Sequence, residues 1–140
     1  MKKTIHYTIC GLEYVYIVNA PMRKTPKGKT YIDLPMDVID KAIAKKIITD
    51  QVPIRGVEVI FLRKTLEMTL NQWAKAFGLT AAGILKWERA KMKRLARVNE
   101  AAVRALCAEI LKISLKGKWS ELVASNETPK KLSLEIKKAA

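Results

Sequence analysis

The stretch Thr69–Arg94, TLNQWAKAFGLTAAGILKWERAKMKR, decides the reading of the chain. Thr69 precedes an apolar-periodic run and Gln72 follows three residues later. That is the capping-box spacing, in which each side chain bonds the other residue's backbone amide. A helix is predicted over Leu70–Phe77, with Leu70, Trp73, Ala74 and Phe77 on one face. Gly78 can take the left-handed conformation that ends a helix at low cost. Thr80 then caps a second helix, from Ala81 to about Arg89, whose inward residues are Ile84 and Trp87. Two short helices, a tight Gly-containing turn and a basic loop make up the pattern.

Outward from this stretch, a helix over about Val57–Leu66 buries Val59, Leu62 and Leu66. Downstream, Asn99 is placed to cap a helix over about Glu100–Lys112, with Val103, Leu106 and Ile110 on one side. That helix is expected to close a core over Leu62, Trp73 and Trp87. Thr49–Gly56 (TDQVPIRG) breaks both periodicities and is the expected boundary. Before it, Pro35–Ile48 reads as a helix with Val38, Ile39, Ala42, Ile43 and Ile47 on its apolar face. Asp37 and Asp40 suit its N-terminal dipole. Earlier still, Thr4–Ile9 and Leu12–Val18 read as strands around a Cys10-Gly11 turn. Pro21–Gly28 (PMRKTPKG) reads as a basic loop, and Lys29–Asp33 as a short third strand. At the other end, Lys118–Ala124 is expected to form a short helix with Trp119 and Leu122, and Asn126–Ala140 to fray. The expected fold class is α+β. A small strand-and-helix unit spans 1–52, an all-α domain of four to five helices spans 53–115, and an extension covers 116–140.

Composition sets the outer limits. With 140 residues and 49% hydrophobic content, the chain has material for a core. No run of about 18 apolar residues occurs, so no membrane span is expected. The start, MKKTIHYTIC, lacks the apolar region of a signal peptide. Two cysteines, Cys10 and Cys107, and one histidine, His6, cannot build a four-ligand structural zinc site. They suit a reduced, cytoplasmic setting, and no metal or cofactor is expected. His6 and Cys107 are read as satisfied interior groups, and capping accounts for Asp33 and Asp37. No convergent His, Cys or carboxylate site is legible, so no enzymatic activity is expected. The net charge is +14, and Ile54–Leu115 is the most basic part, with twelve basic and five acidic residues. That balance suits a polyanionic partner.

The segments FLRKTLEMT, QWAKAFGLT, ILKWE and RAKMKR, in this order between Val57 and Leu111, resemble the lambda-repressor-like (Xre) helix-turn-helix family. The resemblance implies a bacterial DNA-binding transcription regulator, nucleoid-associated, whose second motif helix enters the major groove. It also implies an ion pair between Arg63 and Glu88. The N-terminal phrase HYTICGLEYVYIVNAP looks similar to the lead-in of zinc-finger antitoxins, here without the zinc cysteines. The alternative this implies is an antitoxin that binds a toxin protein and autoregulates its operon.

A recognition helix meets base edges with its first residues. Here those are Ala81, Ala82 and Gly83, with Lys86 one turn on. Alanine methyls can pack on thymine methyls, Gly83 permits close approach, and Lys86 can reach a guanine edge or a phosphate. Thr69, Leu70 and Asn71 offer helix N-terminal amides to a phosphate, and Thr80 begins the second helix. Arg89, Lys91, Lys93 and Arg94 are expected on phosphates. About six such contacts would give a slope of log affinity against log salt of about −5. A homodimer on half-sites about 34 Å apart is expected. Tyr7, Tyr14 and Tyr16, or Trp119–Val123, are the candidate interface segments.

Overall fold

The computed structural model describes residues 2–115, 119–124 and 127–137. It is a mixed α+β chain with two compact units, Met1–Ile43 with Pro129–Ala140, and Ala44–Thr128. The division falls between Ile43 and Ala44, upstream of the break expected at Thr49–Gly56. That break is held firmly within the second unit: Val52 N donates to Ile47 O (3.0 Å) and Leu95 N to Ile54 O (2.9 Å).

The first unit is a small sheet centred on β2 (Val15–Lys24), with β1 (Lys2–His6) and β3 (Thr30–Ile32) antiparallel to it. The register jumps from Lys3↔Ala20 to Ile5↔Ile17, so β2 holds an additional residue. Asn19 absorbs it at φ 55°, a left-handed conformation that asparagine tolerates. The expected loop from Pro21 starts later, because β2 continues through Pro21 to Lys24. Proline is accommodated at the last β1 pair, opposite Lys2, while its carbonyl accepts from Asp33 N at 2.7 Å. The turn that remains is Thr25–Lys29, with Gly28 at φ 85°. Tyr7, Leu12, Tyr14, Val15, Ile17 and Ala20 are buried.

The expected frayed tail is also corrected. Within it Leu132–Leu134 forms β4, parallel to β2, pairing Val15↔Leu132 and Ile17↔Leu134. Leu132, Leu134 and Ile136 are buried, and Lys131 Nζ lies 4.7 Å from the Tyr16 ring centre. The alternating LSLEI pattern carries the strand signal, but it is short and set among lysines. Lys118, where the last helix was expected to start, and Asn126, where the tail was, lie outside the described residues.

Helix α1 (Met36–Thr49) buries Ile39, Ile43, Ala44, Ile47 and Ile48, whereas Val38 is exposed. The second unit adds α2 (Gly56–Thr65), α3 (Leu70–Phe77), α4 (Ala81–Arg89), α5 (Arg97–Ile110) and the single turn α6 (Trp119–Leu122). Its core holds Val59, Leu62, Trp73, Ile84, Val103 and Cys107. Helix α5 starts two residues before the expected Asn99 cap, with Ala96 at its N-cap. The early start brings Glu100 inside.

Glu100 is fully buried and joins four parts of the second unit. Its Oε1 accepts from Ile54 N (3.2 Å) and Arg94 Nε (2.8 Å); its Oε2 accepts from Ala124 N (2.7 Å) and Arg94 Nη2 (3.1 Å). Arg104, also fully buried, lies 3.7 Å from Glu100. Its guanidinium donates to the carbonyls of Ile47 and Ile48 (both 3.3 Å), Val52 (2.8 Å) and Leu122 (2.8 Å). Two of these bonds reach carbonyls in the last turn of α1, which have no donor within the helix and otherwise accept only from Val52 N and Gln51 N. Burial lowers the Arg104 pKa, opposed by the Glu100 charge.

Candidate nucleic-acid interface

The geometry around α3 and α4 begins with their caps. Thr69 Oγ1 accepts from Gln72 N (3.1 Å) and Gln72 Oε1 accepts from Thr69 N (2.8 Å), completing the expected capping box. Gly78 closes α3 at φ 68°, and Thr80 Oγ1 accepts from Gly83 N at 3.2 Å. Trp73 is buried and meets Phe77 edge-on at 5.4 Å, and Phe77 lies 5.7 Å from Trp87. These aromatics are packed inward, which excludes Trp73 as a stacking platform.

Arg63 and Glu88 meet as expected. Arg63 Nε and Nη2 lie 2.6 and 3.1 Å from the two Glu88 oxygens, and Nη1 donates to Met68 O at 3.0 Å. The pair ties α2 to the C-terminal turn of α4. A second tie is steric. A Cβ on Gly56 would stand 2.5 Å from both Trp87 O and Lys91 N. Only glycine lets the backbone of α4's last turn approach α2 this closely, and Val57 N then donates to Lys91 O at 3.0 Å. Next to it, Arg55 forms a buried pair with Glu58 at 2.6 Å.

The outward side follows from this anchoring. Ile84 and Glu88 face inward, which leaves Ala82, Lys86 and Arg89 exposed at helical spacing. Ala81 and Gly83 are half-buried. Thr69, Asn71, Gln72, Lys75 and Thr80 are exposed, Leu70 is half-buried, and Lys91 and Lys93 are exposed on the following turn. Glu88 is the only acidic residue between Thr69 and Leu95, and it is buried against Arg63. The exposed ionic side chains of this stretch are therefore cationic.

Arg94 is exposed but ion-paired. It was expected on phosphates, but its guanidinium is bound by Glu100 and the Ala124 carbonyl. A buried carboxylate outbids solvent for the nearest arginine, because leaving it unpaired would cost several kcal/mol. Of the expected dimer segments, Tyr7 and Tyr14 are buried within the first unit, and Tyr16 stacks on His6 at 4.4 Å. Trp119 is half-exposed, whereas Val123 is buried.

His6 Nε2 pairs with Glu13 O at 2.7 Å, and Asp33 binds Arg23 at 2.8 Å. Cys107 is fully enclosed and its thiol pKa is pushed up to about 12 by burial. Among the described residues, no group of His, Cys, Asp or Glu could hold a metal ion, and no helix is long and apolar enough to cross a membrane. The sequence reading missed Glu100 and Arg104 altogether. Their i, i+4 spacing within α5 was the available signal, and it is indistinguishable from that of a solvated surface pair. Comparison with protein-family models, with curated proteins and with solved structures finds no match.

Proposed function

We propose that the chain is a DNA-binding transcription regulator of helix-turn-helix type, with α4 in the major groove. One observation carries this reading. The stretch from Thr69 to Lys93 exposes Lys75, Lys86, Arg89, Lys91 and Lys93, while its sole carboxylate is buried in an ion pair. Ala82, Lys86 and Arg89 share one exposed face of α4, and Asn71 is exposed in the first turn of α3. In the proposed complex the N-terminal amides of α3 meet a phosphate. Ala81 and Ala82 contact thymine methyls, Thr80 and Gly83 line the entry of the helix, and Lys86 reaches a base edge. Arg89, Lys91 and Lys93 sit on the backbone. A homodimer places two α4 helices on half-sites one turn apart.

The test is a fluorescence-anisotropy titration against a duplex recovered by selection from random DNA. With Arg94 held by Glu100 and Lys86 on a base edge, about four cations per subunit remain for phosphates, so log affinity should fall against log salt with a slope of about −3.6 per subunit. Lys91→Ala with Lys93→Ala should flatten that slope by about two and weaken binding to all sequences alike. Lys86→Ala should instead relax the preference at one base position. A salt-independent affinity, or mutants that titrate like the parent, would contradict the proposal.

A further inference from the structure

The first unit contains a cavity of about 570 Å³ bounded by β1, β3, the end of β2 and the start of α1. Its volume lies in the range of small-molecule sites. The walls are mostly apolar, with Ile5, Met22, Ile32, Leu34 and Ile39 among them. Three of this unit's exposed large apolar side chains, Ile9, Tyr31 and Met36, gather on the same cavity, at 71%, 47% and 55% exposure. Exposed apolar groups scattered singly carry no message, but concentration around one concavity does.

One polar feature narrows the occupant. Lys3 is the only lysine or arginine that lines the cavity, and no carboxylate does. His6 is already engaged by the Glu13 carbonyl.

We propose that this cavity binds a small amphipathic organic anion, an aromatic or aliphatic carboxylate or sulfonate. Its hydrocarbon body lies on Ile5, Met22, Ile32 and Ile39, and its anionic end faces Lys3. The site is separate from the DNA-binding reading and stands or falls without it.

The probe is anilinonaphthalene sulfonate, compared with neutral phenylnaphthylamine and added to the full chain. The sulfonate should bind saturably, one per chain, about fivefold tighter than the neutral probe, and decanoate should displace it. Lys3→Met should abolish the preference for the anion while leaving the neutral probe bound. Met22→Trp should fill the cavity and abolish binding of both. Should that variant melt early by circular dichroism, Thr30→Trp, introduced from an exposed lining position, makes the same test. Absence of saturable binding, or unchanged binding in a folded cavity-filled variant, would overturn the proposal. Equal affinity for both probes would overturn its anionic part.

Discussion

At the scale of single residues, local bonds were legible and buried charges were not. Thr69, Gln72, Gly78 and Thr80 act through groups within a few positions of themselves, so their spacing reveals their bonds. The Arg63–Glu88 pair was legible only through a family resemblance, because the partners are 25 residues apart. Glu100 and Arg104 were illegible because nothing in their immediate sequence marks them as interior. Arg104→Leu should therefore be severe. It removes the donors to four carbonyls and one partner of Glu100, for a cost of about 3–5 kcal/mol read as a lower urea midpoint. A surface arginine would cost less than about 0.5 kcal/mol. Asp40 offers a pH test. Burial, then the nearby Asp37 charge, raises its pKa above 3.8, and its Oδ1 is enclosed without a protein partner. Between 3.8 and the raised value, the folded chain keeps a proton that the unfolded chain has lost. Stability must then fall as pH rises through that window and stay lowered above it. Asp40→Asn should flatten this limb and raise the melting temperature at neutral pH. A parallel decline in mutant and parent would show that Asp40 is not the group responsible.

At the scale of elements, the helices were more legible than the strands. The expected spans of α3 and α4 match the observed ones at both ends, because caps and breakers mark each terminus. The strands depend on partners that periodicity cannot name. β2 continues through Pro21 because that proline needs to donate no bond there, and β4 exists because β2 leaves an edge open for Leu132–Leu134. Such pairing joins residues more than a hundred positions apart. It makes the C-terminal stretch structural, so truncation after Thr128 should destabilise the first unit. Three buried side chains, Leu132, Leu134 and Ile136, leave the first unit's core. At about 1.5–3 kcal/mol for each, loss of a clear cooperative melt for this unit is expected. A truncated chain with the parent's thermogram would contradict the role of β4.

At the scale of the whole molecule, the charge of +14 was visible from composition, but its distribution in space was not. Folding withdraws Arg55, Arg63 and Arg104 into ion pairs and carbonyl contacts, ties the exposed Arg94 to Glu100, and leaves the lysines and Arg89 of the α4 stretch outside and unpaired with carboxylates of that stretch. The candidate face is therefore smaller than the sequence suggested, and free of exposed carboxylates. One residue on it separates folding from binding. A Cβ at Gly83 would meet only Thr80 Oγ1 at 3.5 Å and Leu79 Cβ at 3.9 Å, ordinary contacts that the fold accepts. Alanine is favoured over glycine within a helix by about 0.8–1 kcal/mol. If α4 lies in a groove with Gly83 against the DNA, the same methyl meets the duplex. The decisive measurement is thus the melting temperature and the duplex affinity of Gly83→Ala, taken together. A raised melting temperature with about tenfold weaker binding to the selected duplex is expected; a stabilised variant that binds as tightly as the parent would contradict α4 as the recognition helix.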